Sequence, residues 1–310
     1  MMLADQIAYV ALVANDPAAA GVFERHFGLP RHELSSAAGA VPVFALGRCA
    51  LALFPPGHPL VDGERRPGVH HIALGVDDLD VAAARAVVAG APPTDSAPAP
   101  GLGGRRIRRL APDATLGVRT VLTERLGLAP HAESRVQRID HIGVASTDVR
   151  EDEAVFCGQL GFAVESRQTD MEVSIAVESF TSDKYGVVYH SRTPEPVGGL
   201  RVTFITVGDC ELEFLANVDP RRGGEVHHGQ AGNTRQDQGA IARFVASRGR
   251  GLHHVALKSP DIDTLLGSMA AAGLPMIDTK GRPGSRRALI GFPHPKALGG
   301  VLMHVVQRPD

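Results

Sequence analysis

The hydrophobic and polar positions of the chain switch repeatedly between a period of two and a period near 3.6. RVTFITVG (201–208), CELEFLAN (210–217) and GGVLMHVVQ (299–307) alternate and are rich in β-branched residues, which predicts strands. DVREDEAVFCGQLGF (148–162) predicts a helix: acids in its first turn, an apolar face of Val149, Val155, Phe156 and Leu160, and a glycine stop. SPDIDTLLGSMAAAGL (259–274) repeats that design, with Asp261 or Ser259 as candidate N-cap and Gly273 at the C-terminal end. A short strand, an Asp-initiated helix and then three strands make a βαβββ unit, and the chain holds four of them.

The units also repeat in sequence. GVHHIALGVDDLDVAAARAVVAG (68–90) lies 183 positions before GLHHVALKSPDIDTLLGSMAAAG (251–273), and nine of the 23 positions are identical. IAYVALVAND (7–16) pairs with IDHIGVASTD (139–148) at an offset of 132, and LGRCALALF (46–54) pairs with VGDCELEFL (207–215) at 161. Each half is thus built from the same parts in the same order. Apolar periodicity lapses over 126–138, which divides the chain into domains at 1–130 and 136–310. The growth of the offset places about 29 extra residues near 165–200 and about 22 near 216–250 in the second half. The later insertion is polar and glycine-rich and reads as a loop before a short helix, AIARFVASRG (240–249).

Comparing repeat-equivalent positions isolates the candidate chemistry. His141 stands where the first half has Tyr9, Glu213 where it has Ala52, and His304 where it has Val121; only His254 meets a like residue, His71. Each lies on an alternating strand and projects from one face with its i±2 neighbours. A lone strand histidine is more often a satisfied core or surface residue, but a polar group among apolar neighbours needs a partner. Three imidazoles and a carboxylate on four equivalent strands suit a divalent metal, with Zn, Fe, Mn, Co and Ni all compatible.

Composition narrows the setting. The 310 residues are 44% hydrophobic and 21% charged, enough for a sizeable core, with 14 histidines against three tyrosines and no tryptophan. A net charge of −2 gives no footprint for nucleic acid or an anionic membrane, and no apolar run is long enough to span a bilayer. The N-terminal segment has no basic region ahead of its apolar stretch, and the three cysteines have no metal-binding spacing. These features lead to the expectation of a cytoplasmic protein with a small-molecule substrate and neither nucleic-acid nor membrane partner; a homodimer is compatible with them.

The segments IDHIGVASTDV, GLRVTFITVGDCELEFLANVDP, IARFVASRGRGLHHVALKSPDID and FPHPKALGGVLMHVVQ stand in this order over most of residues 138–308. In them the second half resembles the vicinal oxygen chelate superfamily and, within it, the methylmalonyl-CoA epimerases. The first half looks like a divergent domain of the same superfamily, with GVHHIALGVDDLD its clearest trace. The resemblance implies an α+β protein of two fused vicinal-oxygen-chelate domains, the first degenerate and metal-free and the second holding a divalent ion through His141, Glu213, His254 and His304. It further implies isomerase, epimerase or lyase chemistry through a metal-chelated enolate on a CoA thioester or related oxygenated acid. Epimerases carry a glutamate in GVLIEL where this chain has GVLMHV, so His304 replaces both a ligand and an acid/base group. The other epimerase carboxylate precedes the second strand; Glu195 is the carboxylate near that position, off register by one or two residues. Two alternatives come with the resemblance. One is a non-haem dioxygenase of the extradiol or 4-hydroxyphenylpyruvate type, whose two-domain chains keep metal in one domain. The other is a metal-free protein that sequesters small molecules.

Other features are assigned plainer roles. His70/His71 and His253/His254 are adjacent on strands, and simple alternation predicts that only one of each pair enters a site. His227 and His228 fall in the polar insertion and read as solvated. Lys280, Arg282, Arg286, Arg287 and Lys296 form a basic cluster that reads as a solvated turn, with a grip on substrate anions as the functional option. GLGGRR (101–106) lacks the ending of a phosphate loop.

Overall fold

In a computed structural model, residues 2–130, 133–218 and 239–309 are described. The first half comprises β1 (Gln6–Val13), α1 (Ala18–Arg25), β2 (Arg31–Ser36), β3 (Gly39–Leu46), β4 (Cys49–Phe54), β5 (Gly68–Val76), α2 (Leu79–Val88), β6 (Ala99–Pro100), β7 (Arg106–Arg109) and β8 (Thr120–Glu124). The second comprises β9 (Arg138–Ser146), α3 (Val149–Glu153), β10 (Ala163–Ser174), β11 (Val177–Ser182), β12 (Gly186–Ser191), β13 (Glu195–Val207), β14 (Cys210–Val218), α4 (Ala240–Arg248), β15 (Gly251–Lys258), α5 (Ile262–Ala271), β16 (Arg282–Pro283), β17 (Leu289–Gly291) and β18 (Met303–Gln307). Each half forms one eight-stranded sheet, ordered β2-β3-β4-β1-β5-β8-β7-β6 and β10-β13-β14-β9-β15-β18-β17-β16. The two orders correspond strand for strand, as a duplication of paired βαβββ units requires.

Helix starts follow the sequence signals. Asp148 accepts from the Arg150 amide, and Asp261 accepts from Thr264 N, so Asp261 rather than Ser259 is the cap. The helix after β9 is shorter than its pattern predicts. Regular α geometry ends at Glu153, and Ala154–Gln159 continue as a wider π turn in which Leu160 N donates to Val155 O at 2.9 Å. The insertion near 165–200 is a lengthened β10–β13 ladder, running to Ser174 opposite Glu195, with the hairpin β11–β12 at its end. The insertion near 216–250 yields α4; residues 219–238, with His227 and His228, lie outside the described residues.

Burial sorts the two faces of each sheet. Val10, Leu12 and Leu74 of the first sheet and Ile142, Val144 and Leu257 of the second belong to one apolar core spanning both halves. The remaining faces form the insides of two cups. The first is packed with Tyr9, Val43, Ala52, Phe54 and Val121 among others. The second keeps only small apolar clusters around Phe204 and Ile290, and between them lies a cavity of about 480 Å³. Among the described residues, no helix is long and apolar enough to cross a membrane.

Candidate metal centre

Strand register brings the four sequence candidates onto neighbouring strands. Glu213 and His254 both pair with Gly143, two residues beyond His141, while His304 pairs with Ala256 opposite His141. The first sheet repeats this: Ala52 and His71 pair with Ala11, and Val121 pairs with Ala73. The four equivalences read from the sequence offsets are therefore equivalences of position in the sheet.

All four side chains line the cavity of the second cup and are buried. Glu213 Oε2 lies 3.4 Å from His141 Nε2 and 3.3 Å from His254 Nε2. One ring nitrogen from each of His141, His254 and His304 falls within 4.8 Å of the others. Donors around an ion with bonds of about 2.1 Å sit about 3.0–3.4 Å apart, so small inward movements suffice to close the set. Room for the rings is built into the backbone: a Cβ at residue 143 would lie inside the imidazole of His254, and this strand carries glycine there. His304 Nδ1 is buried without a hydrogen-bond partner. Donor types, spacing and cradle all fit a divalent ion held by nitrogen and oxygen.

The electrostatics are those of a charged cluster under apolar walls. Burial opposes charge on His141, but Glu213 and the Asp140 hydrogen bond outweigh it and raise its pKa. Burial likewise opposes the Glu213 carboxylate, yet His141 and His254 hold its pKa below the usual value. His254 is pushed down by burial and then by the His141 charge, and His304 is pushed well down by burial and by its two histidine neighbours.

The strands are bulged where the histidines sit, which overturns the expectation from simple alternation. Register slips between Leu252 and His254 on β15 and between Val69 and His71 on β5. The adjacent imidazoles touch: His253 Nδ1 to His254 Nδ1 at 2.9 Å, and His70 Nδ1 to His71 Nδ1 at 2.8 Å. Both His253 and His254 line the cavity, so both enter the site. A further slip between Ala256 and Leu257 opposite β9 lets Asp140 reach its neighbour, Oδ1 to His141 Nδ1 at 2.8 Å. Alternation hides Asp140 and His253 from a sequence reading; the only trace is a polar residue directly beside His141 and His254.

A model of the glyoxalase/bleomycin resistance protein/dioxygenase superfamily matches residues 140–292. The second half belongs to this superfamily. Among solved structures, a mutant of 4-hydroxymandelate synthase from Streptomyces coelicolor is 18% identical, with 98% of this chain and 93% of that chain covered at a TM-score of 0.61. It shares the fold across both halves. Methylmalonyl-CoA epimerase from Mycobacterium tuberculosis is 21% identical over 58% of this chain and 93% of its own, with a TM-score of 0.39. No curated protein matches the chain.

Two remaining sequence candidates separate within this superfamily domain. Arg282 and Arg286 of the basic cluster do not form a solvated turn; both line the cavity. Arg286 donates to Asp140 at 2.9 Å and Glu211 at 2.7 Å, with its Cζ 3.7 Å above the Phe204 ring. Glu195 is not brought to the histidines. Its backbone pairs with Ser174 at the far end of the β10–β13 ladder, nine residues from Phe204, or about 30 Å of extended strand. The side chain of Glu195 lies outside those described.

Proposed function

We propose that this chain is a metal-dependent enzyme in which His141, Glu213, His254 and His304 hold a divalent ion. The cavity beside them takes a small, largely apolar acid or ester through two neighbouring oxygens. The observation that carries this reading is the contrast between equivalent cups. Tyr9, Ala52, His71 and Val121 are buried, with Tyr9 Oη 3.3 Å from His71 Nε2 and a smaller cavity, about 230 Å³, beside His71 and Val121. Their counterparts line an open cavity with a nitrogen–oxygen donor set. We assign the metal to residues 136–310 and read residues 1–130 as a metal-free partner domain.

A bound divalent ion supplies Lewis acidity, drawing charge from substrate oxygens. The chain's own residues do the rest. Asp140 fixes His141, and His253 fixes His254, each through the ring Nδ1, leaving both Nε2 atoms toward Glu213. Phe204, Leu215, Ile290 and Phe292 exclude water, while Arg282, Arg286 and Arg308 place positive charge at the wall. About 480 Å³ admits a small acid or the acyl end of a CoA thioester.

Isomerase or lyase chemistry is the first reading; it needs an acceptor for the proton lost beside a carbonyl, and His253 is the cavity imidazole outside the ligand set. Epimerisation across two faces needs a second proton-transfer group, and the placement of Glu195 does not support it in that role. Oxygenase chemistry is the second reading, favoured because Glu213 is the only carboxylate among the described cavity-lining residues. Metal-loaded protein incubated with candidate acids and thioesters in D₂O, with oxygen monitored, separates them. Deuterium uptake without oxygen consumption supports the first reading and oxygen consumption the second. Neither change, with metal bound, removes both and leaves a binding role. His304→Ala should lower metal content; full occupancy and full activity in that variant would remove His304 from the ligand set.

A further inference from the structure

The turn between β16 and β17 carries two non-glycine residues in the left-handed region, Arg286 at φ 54° and Arg287 at φ 57°. Subtracting the repeat offset of 183 leads to Gly103 and Gly104, at φ 61° and 72°. The two halves therefore make the same left-handed turn, with glycines in the first and arginines in the second. Left-handed backbone disfavours any side chain, and strain of this kind persists where the surroundings over-determine it.

What Arg286 gains is visible across the cup. Its Nη2 donates to Asp140 Oδ1 at 2.9 Å and its Nη1 to Glu211 Oε2 at 2.7 Å. Arg308 spans the same two carboxylates, 2.8 Å from Asp140 and 3.3 Å from Glu211. Asp140 is fully buried; it also meets the ring Nδ1 of His141 at 2.8 Å and, more distantly, Arg138 at 3.6 Å. The repeat-equivalent residues are Ala8 for Asp140, Ala50 for Glu211 and Gly103 for Arg286. The first half thus lacks this lattice together with three of the four candidate ligands.

We propose that Arg286 is a positioning residue for the metal centre. Its guanidinium ties Asp140 to Glu211 and so holds the Asp140–His141 hydrogen bond that aims His141 Nε2 at the ion. The inference rests on the metal-binding reading above and extends it to a residue that touches no ligand atom of the set. Arg287, which shares the strained conformation but is exposed and outside the lattice, is the internal control.

The test is a double-mutant cycle in metal affinity, with Co²⁺ as probe, followed by calorimetry and by the cobalt d–d spectrum of the full chain. Arg286→Gly should weaken Co²⁺ binding by about 10–100-fold and alter the spectrum. Asp140→Asn should do the same, and the double variant should be no worse than the poorer single one. Arg287→Gly should bind as the wild type does. Arg286→Lys, which keeps the charge but not the fork, should recover only part of the loss. Circular dichroism with thermal melts checks that each variant is folded; should Arg286→Gly fail to fold, Arg286→Lys against Asp140→Asn completes the cycle. Wild-type affinity and spectrum in a folded Arg286 variant, or losses that simply multiply in the double, would overturn the positioning role while leaving the metal site standing. A wild-type chain that binds no Co²⁺ would instead overturn the metal-binding reading, and the inference with it.

Discussion

The most informative single residues are those the two halves do not share. Gly143 occupies the position of Ala11, and the absent Cβ is what allows the His254 imidazole to lie across β9. Gly143→Ala should displace that ring, cost about 1–3 kcal/mol through overpacking and lower metal occupancy; urea denaturation and metal analysis would show both. Relief of backbone strain is expected at Arg287, where glycine should add about 1 kcal/mol to stability, read as a raised Tm. His70 bears on pH. Burial, then the Arg119 charge, pushes its pKa down to about 4. The folded state then binds fewer protons than the unfolded state, whose histidine titrates near 6.5. His70 therefore costs nothing above about pH 6.5, and its stability contribution is lost as pH falls toward about 4. His70→Gln should lose about 2 kcal/mol less than the wild type between pH 7 and pH 4.5 in urea titrations. Equal losses in the two proteins would assign the acid sensitivity to other groups.

At the scale of elements, helix caps and strand faces were legible because they are local. Asp148 and Asp261 cap helices that begin within a residue of them, and β14 sends Leu212 and Phe214 to the shared core and Glu213 and Leu215 to the cavity, as the alternation of CELEFLAN predicts. The bulges were not legible. A slip of one residue depends on both strands of a ladder, and no single segment encodes it. Three such slips decide that Asp140 and His141, His70 and His71, and His253 and His254 act as hydrogen-bonded pairs rather than as residues on opposite faces. The π turn after α3 is likewise a departure from an otherwise regular helical pattern. The hairpin β11–β12 leaves Phe180, Tyr185 and Tyr189 exposed and contributes nothing to the cavity lining. Replacing residues 175–194 with a short turn between Ser174 and Glu195 should leave metal stoichiometry unchanged; a loss of metal would show that the hairpin supports the cup.

The whole molecule is a duplication in which one core serves both halves and the first cup keeps a smaller cavity than the second, about 230 Å³ against about 480 Å³. Because residues such as Leu3, Val10, Ile142 and Val255 belong to a single cluster, the halves depend on each other for burial. Backbone contacts add to this, with Leu3 N donating to Leu160 O at 2.9 Å and Asn15 N to Gly299 O at 3.0 Å. Cleavage in the 126–137 segment should leave two fragments that migrate together in gel filtration, and residues 136–310 expressed alone should aggregate or self-associate. Separation of the cleaved halves into soluble monomers would contradict a shared core. The sequence by itself determined the duplication, the four units, the fold class and the four candidate side chains, three of which the first half lacks, because periodicity and internal comparison report directly on which face a residue occupies. Only the tertiary structure decided which neighbours enter the cup, that Glu195 lies far along a ladder and that Arg286 reaches Asp140 across the sheet. Those outcomes depend on strand register and on sheet curvature, which arise from pairing between distant segments rather than from any one of them.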